Sequence, residues 1–128
     1  MIKTILGYDV EDGVSLEDYE KWLFEVHAPD LLANPHLDRI VFNKVEGPVR
    51  KASGGTADIP DGYSFYRIAE MYFADQAAYA AYHQWFSENP IPVGRGPAGR
   101  TRFKFYVIAT PQEVTRESRA AADHAPER

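Results

Sequence analysis

The chain has 128 residues, of which 45% are hydrophobic and 26% charged, which predicts one globular domain with a single hydrophobic core. Its net charge of -5 argues against nucleic-acid binding and against docking on an anionic membrane. The lack of cysteine excludes thiol catalysis, thiolate metal sites and disulfides. We see no secretory leader and no apolar run of about 18 residues, so we expect a cytoplasmic protein without a membrane partner.

The first half of the chain is patterned as strand, helix, strand. Residues 2–9 and 37–45 alternate between apolar and polar positions, which predicts two strands. Between them, Ser15 is suited to cap a helix whose apolar residues recur at spacings of three and four. Pro29 lacks an amide hydrogen, so we expect this helix to stop or kink just before it.

The second half repeats this order after a long polar segment. Residues 63–73 are the most apolar strand candidate, a second helix begins near Asp75, and residues 101–109 form the last strand. The segment 46–61 is either a lid over a site or a plain surface loop. Residues 111–128 are charged and alanine-rich, which predicts a flexible tail.

The order β-α-β, long loop, β-α-β predicts a ferredoxin-like α+β domain at residues 1–110. Such a domain has a four-stranded antiparallel sheet with both helices on one face. The strand at 63–73 is apolar on both sides, so the face away from the helices also needs a cover. A second copy packed sheet to sheet would provide it, and we therefore expect a homodimer closed into an α/β barrel.

Five short motifs carry a family resemblance: Tyr19-x-x-Trp22, Val26-His27-Ala28-Pro29, Asn34-Pro35-x-Leu37, Ile40-Val41-Phe42 and Ile68-Ala69-Glu70-Met71-Tyr72-Phe73. They resemble the EthD-like families of the dimeric α/β barrel superfamily, and the resemblance covers about residues 1–109. Related groups are REDY-like pigment-pathway proteins, muconolactone isomerases, polyketide cyclases and small cofactor-free monooxygenases. The resemblance implies a dimer with one pocket in each subunit, and it leaves the reaction open because this fold hosts many reactions.

Three residues are candidates for catalysis. His27 is the first, because an imidazole with a pKa near 6.5 suits proton transfer; the alternative is a helix-end histidine satisfied by a backbone carbonyl. Glu70 is a carboxylate in an apolar strand, where burial would raise its pKa into a useful range. The alternative for Glu70 is a structural ion pair with Arg39, Arg67 or Arg102. Tyr8 is the third, since a tyrosine hydroxyl can hold a phenolate or enolate oxygen.

The high aromatic content of 13% suggests a pocket for a flat apolar ligand. The candidate substrate contacts are Trp22, Asn43, Tyr66, Tyr72, Tyr82, His83, Trp85 and Arg95. For the aromatic members the alternative is ordinary core packing. Asn43 would orient a carbonyl and Arg95 would meet a carboxylate. The glycine spacing at 94–99 lacks the preceding strand and the following helix that nucleotide binding requires.

These features favour a small cofactor-independent enzyme acting on an aromatic or polyketide-like substrate. The reaction would be a decarboxylation, cyclisation, isomerisation or other lyase reaction, with His27 moving the proton. Two alternatives stay open: a cofactor-free monooxygenase of the same barrel type, and a non-catalytic dimer that binds an aromatic ligand. We expect no cofactor, and the 4 histidines have no close spacing that indicates a metal site.

Overall fold

The structure, a computed structural model, describes residues 1–118, so the end of the predicted tail lies outside the described residues. One antiparallel sheet has the strand order β2-β3-β1-β4. Its strands are β1 (Ile2–Val10), β2 (Arg39–Lys44), β3 (Arg67–Phe73) and β4 (Thr101–Ala109). The helical segments are α1 (Leu16–Trp22), a π-helical turn (Leu23–His27), α2 (Ala28–Leu32), α3 (Gln76–Glu88) and a 3-10 turn (Val93–Arg95). The predicted ferredoxin-like α+β fold is confirmed.

One face of the sheet packs against both helical regions. On β3, Ala69 packs in the cluster beneath α1, while Met71 and Phe73 pack in the cluster beneath α3. Alternate residues of a strand point to the same face, so the helices lie on one side. Phe73 is fully buried, with its ring centroid 5.1 Å from that of Tyr79 and 5.0 Å from that of Tyr82.

We expected a stop or a kink at Pro29; the first helical region passes the proline and ends at Leu32, so the stop is wrong, and the regular helix is interrupted by a π turn just before the proline. A π-helical turn precedes the proline, and within it the backbone N–H of Ala28 bonds to the carbonyl of Leu23 five residues back. Pro29 then lies in the first turn of α2, where its missing N–H does not break a helical hydrogen bond. The π turn therefore carries the chain past the proline, and His27 lies at its end. Turns of this kind frequently occur at functional sites.

Two strand boundaries differ from the predicted ones. The third strand begins at Arg67, because the residues before it leave the ladder and bond individually to neighbouring backbone. The second strand is confined to Arg39–Lys44, since the turn after α2 extends to His36 and residues 37–38 are irregular. The segment 46–61 is largely exposed and contains an isolated bridge between Arg50 and Thr56.

The other face of the sheet, called the open face below, carries none of the helical segments named above. Its apolar side chains are half-buried: Ile5, Val41, Ile68 and Phe105. The ring of Phe105 lies where a side chain at position 7 would stand, which explains why Gly7 occupies that position in β1. No helix within the described part of the chain is long and apolar enough to cross a bilayer.

Candidate active site

A cavity of about 300 Å³ lies on the helix-covered face, between the sheet, the first helical region and α3. We call it the first cavity. Its walls are mostly aliphatic and aromatic, with Leu6 and Met71 from the sheet and Leu23 from the π turn. Two of the three catalytic candidates, Tyr8 and His27, line it. An apolar hollow with a few converging polar groups is typical of a small-molecule site.

The imidazole of His27 stacks on the indole of Trp22, with centroids 4.6 Å apart and planes 16° apart. The indole is itself fixed, because its N–H donates to the main-chain oxygen of Arg95 at 2.9 Å. Nδ1 of His27 is buried and has no hydrogen-bond partner among the described residues. Burial lowers the pKa of His27 to about 4, against an opposing effect of Asp30 and with a further lowering by Arg100. The ring is therefore neutral at pH 7.

The hydroxyl of Tyr8 is a second buried polar group in this cavity. Tyr8 is 3% exposed, and its Oη has no hydrogen-bond partner within residues 1–118. Burial raises the pKa of Tyr8, so the phenol stays protonated and available as a donor. The neighbouring hydroxyl of Tyr19 differs, since it shares a hydrogen bond of 2.7 Å with Oγ1 of Thr101. A buried donor without a partner is costly, and a ligand oxygen would relieve that cost.

The structure places Glu70 outside the cavity, on the open face. Its Oε1 accepts a hydrogen bond from Nζ of Lys3 at 2.6 Å, and its Oε2 accepts one from Nδ2 of Asn43 at 3.2 Å. The hydrogen bond from Lys3 holds the pKa of Glu70 below its usual range, so the raised pKa that we expected is wrong. The ion-pair alternative describes this residue, although the cation is Lys3 and not an arginine. Asn43 lies beside it, away from the first cavity.

Tyr82 is the predicted substrate contact that does line the first cavity, and burial raises the pKa of Tyr82 to about 12. Trp22 and Arg95 lie behind the imidazole as supports. The guanidinium of Arg95 is held by two hydrogen bonds of 2.9 Å to the carboxylate of Asp30, so it is not directed at a ligand. His83 is exposed and lines a neighbouring cavity.

The remaining predicted contacts lie elsewhere. Tyr72 is on the open face, with the guanidinium carbon of Arg39 3.8 Å from its ring centroid. Tyr66 donates its hydroxyl hydrogen bond to the carboxylate of Glu20. Trp85 packs edge-on against the next residue of α3, with centroids 5.2 Å apart. Each of these side chains has a structural partner, and none of them lines the first cavity.

Sequence reasoning missed several cavity residues, notably Tyr19, Thr101 and Phe103. Tyr19 had a usable signal, because it lies on the apolar stripe of the first helix. The residues of β4 had none, since a bulge shifts their register between Gly7 and Tyr8 of β1. A bulge changes which side chains of the affected strand share a face, and alternation alone does not locate it.

The segment 46–61 contributes no residue to the first cavity, so its role as a lid stays a prediction. Within residues 1–118 there is no group of three or more His, Cys, Asp or Glu side chains arranged to hold a metal ion.

No family model and no curated protein matches the chain. Several solved structures are similar to the chain in fold. The Arabidopsis thaliana protein At3g17210 is similar with a TM-score of 0.58 at 17% identity, over 90% of this chain and 99% of that one. HapK from Hahella chejuensis is similar with a TM-score of 0.58 at 12% identity, over 90% and 96% of the two chains. A dabb family protein with a ferredoxin-like fold from Mesorhizobium loti gives 0.52 at 18% identity, over 88% and 97%. At such identities the likeness shows the fold alone.

Proposed function

We propose that this protein is a small cofactor-independent enzyme that performs proton-transfer chemistry on an aromatic or polyketide-like substrate. One observation carries the proposal: Nδ1 of His27 and Oη of Tyr8 are both buried without a partner, and both residues line one apolar cavity. Buried polar groups are nearly always hydrogen-bonded, so two exceptions in one hollow mark a place where the polar groups of a ligand would bond. The His-Ala-Pro motif, which resembles that of the EthD-like families, supports a role for His27 and a pocket in each subunit, and it leaves the reaction open.

His27 would accept the proton. Its burial lowers its pKa to about 4, which makes it a weak base. Negative charge developing on a bound substrate would raise that pKa, because a nearby opposite charge favours the imidazolium form. The basicity of the His27 ring would thus increase as negative charge develops on the substrate. The stack against Trp22 holds the ring plane during the transfer.

Tyr8 would donate a hydrogen bond to the oxygen on which negative charge collects. Its hydroxyl is neutral and fixed on β1, and it makes no well-formed hydrogen bond among the described residues, although the hydroxyl of Tyr19 lies close by. Apolar walls exclude water from this hydrogen bond and strengthen it. Removing a proton beside a carbonyl or a phenol, with the oxygen held in this way, leads to isomerisation when the proton returns to another carbon, or to cyclisation when the carbanion attacks a second carbonyl. In a decarboxylation the bond to the carboxylate breaks instead, carbon dioxide leaves, and a proton is delivered to the carbon that it left.

We also propose that two copies pair through their open faces. This face presents half-buried Ile5, Val41, Ile68 and Phe105, which water would otherwise contact. A sheet that is apolar on both sides is normally covered on both sides. Pairing there leaves the first cavity untouched, since it lies on the opposite, helix-covered face. Each subunit would then carry its own site.

The test is proton exchange. Phenols, hydroxybenzoates and aromatic 1,3-diketones are incubated with the protein in D2O without added cofactor, and proton NMR follows deuterium entering carbon positions and loss of carboxylate. We expect His27→Ala to lower the rate about 10²- to 10⁴-fold, which is the usual contribution of a general base. His36→Ala is the matched control, because His36 lines neither this cavity nor its neighbour. Exchange at the full rate in His27→Ala would contradict the proposal.

A further inference from the structure

A second cavity of about 370 Å³ adjoins the first on the same face of the sheet. Three side chains line both: Leu6 of β1, Met71 of β3 and Tyr82 of α3. Since these three side chains border both hollows, the two hollows lie side by side and meet at this shared wall. We call them the two chambers of one groove, with the phenol ring of Tyr82 at their boundary.

The bulge in β4 builds this groove. Phe103 pairs with Tyr8 and lines the first cavity, whereas Tyr106 pairs with Leu6 and lines the second. In a regular strand, side chains three positions apart would point to opposite faces. The extra residue between them turns both rings to the helix-covered face. One edge strand therefore flanks the whole length of the groove.

Each chamber holds a buried polar atom without a partner. The described residues contain three such side-chain atoms, Thr4 Oγ1, Tyr8 Oη and His27 Nδ1. Tyr8 and His27 line the first cavity and Thr4 lines the second. Thr4 and Tyr8 lie on the same face of β1, four positions apart, which is about 13 Å along a strand. The unmet hydrogen-bonding groups thus stand at both ends of one apolar groove.

We propose that the groove binds one elongated ligand, with two linked or fused rings and a hydrogen-bonding group at each end. The reacting ring occupies the first cavity between Tyr8 and His27, a placement that rests on the proposed function. The distal ring occupies the second cavity and its polar end group bonds to Oγ1 of Thr4. Exposed His83 and Tyr106 stand at the outer side of this chamber, where the ligand enters. Thr4 is then a residue that selects for ligand length.

Two neutral diphenols test this directly: hydroquinone, with one ring, and 4,4′-dihydroxybiphenyl, with two rings and the same end groups. Isothermal titration calorimetry of the unchanged protein is expected to show that the biphenyl binds at least about tenfold more tightly, because a second ring is buried. Thr4→Val keeps the side-chain shape and removes the hydroxyl. It is expected to weaken biphenyl binding about three- to tenfold and to leave hydroquinone binding unchanged.

Ile108→Trp fills the second chamber from a side chain that is 46% exposed, so the core is not disturbed. It is expected to abolish the preference for the biphenyl. Val93→Trp is the matched control, since Val93 is 83% exposed and lines neither cavity. Circular dichroism checks that each variant is folded, and Thr4→Val gives an independent result if Ile108→Trp does not fold.

Equal affinity for the two diphenols, or a preference that survives in Ile108→Trp, would overturn the two-chamber site. This outcome is distinct from failure of the proposed function. His27→Ala retains the second chamber and is expected to keep the preference for the biphenyl, whether or not the protein catalyses exchange. Conversely, catalysed exchange without any preference would leave the reaction standing and remove only the elongated ligand.

Discussion

The two faces of the sheet treat their polar side chains in opposite ways. On the open face, Glu70 is bonded to both Lys3 and Asn43. On the helix-covered face, polar atoms of Thr4, Tyr8 and His27 are buried with no partner in the described chain. The carboxylate of the open face thus has its hydrogen-bond partners, whereas three buried polar atoms of the covered face have none within residues 1–118.

The difference teaches what marks a ligand site in this protein. Residue type does not mark it, because a carboxylate in an apolar strand is as suggestive of a site as a histidine at a helix end. What distinguishes the two residues is whether their polar atoms already have hydrogen-bond partners within the protein. The paired carboxylate of Glu70 has a lowered pKa and a fixed position, and both of its oxygens already accept hydrogen bonds from the protein. An unpaired imidazole beside a cavity has its hydrogen-bonding capacity unused.

The largest effect is expected on the open face, if it is a dimer interface. Ile68→Lys would bury a charge between two sheets and is expected to raise the dissociation constant of the dimer by at least about 100-fold. Analytical ultracentrifugation measures this. Leu16→Lys, at a residue 59% exposed on α1, is the matched control and is expected to leave the dimer intact. A protein that is monomeric before any substitution would contradict the pairing.

On the covered face, Tyr8→Phe separates function from stability. Loss of the hydroxyl is expected to lower turnover about 10²- to 10³-fold, the usual cost of one donor to a developing oxyanion. The free energy of unfolding should not fall, because the hydroxyl has no partner to lose within the described residues. Urea denaturation beside the exchange assay measures both. A loss of stability with full turnover would make this hydroxyl structural.

The covered face should also respond to acid. The pKa of His27 is about 4 in the folded protein and near 6.5 when unfolded, so between these values the unfolded chain binds a proton that the native ring does not. This contribution to stability is fully present above pH 6.5 and is lost as the pH falls to about 4, a total of about 3 kcal/mol. Urea denaturation at several pH values measures it. His27→Gln is expected to flatten this part of the profile, and an unchanged slope would contradict it.

The smallest effect is expected for the ion pair of the open face. The side chains of Lys3 and Glu70 are 19% and 21% exposed, so water screens them in part. A double-mutant cycle with Lys3→Met and Glu70→Gln is expected to give a coupling of about 0.2–1 kcal/mol that shrinks in high salt. A coupling of several kcal/mol would show that this pair is more deeply buried than the single chain indicates.

The fold could be predicted from the sequence because its signals are local. Alternation located all four strands, and Ser15 does accept the capping hydrogen bond from the backbone of Asp18. The stop at Pro29 was wrong because a proline also fits the first turn of a helix. The π turn at Leu23–His27 places Pro29 in the first turn of α2. Local patterns do not distinguish these two outcomes.

The site was predictable only in part, because it depends on pairs far apart in sequence. Tyr8 and His27 were predicted and line one cavity. Glu70 was misplaced because its partner Lys3 is 67 positions away, on the neighbouring strand. Thr101 was missed because its position depends on a bulge, and Thr4 was missed because a threonine in a strand is ordinary until its hydroxyl is found buried and unpaired.

The most direct test of the account is an NMR titration of the His27 ring in the ligand-free protein, with its resonances assigned by comparison with His27→Gln. The account predicts a neutral ring at pH 7 and a pKa of about 4, because the imidazole is largely buried beside an apolar cavity and its Nδ1 has no partner in the described chain. A pKa of 6.5 or higher would mean that water or an acidic group reaches the ring, and it would contradict the site proposed for this protein.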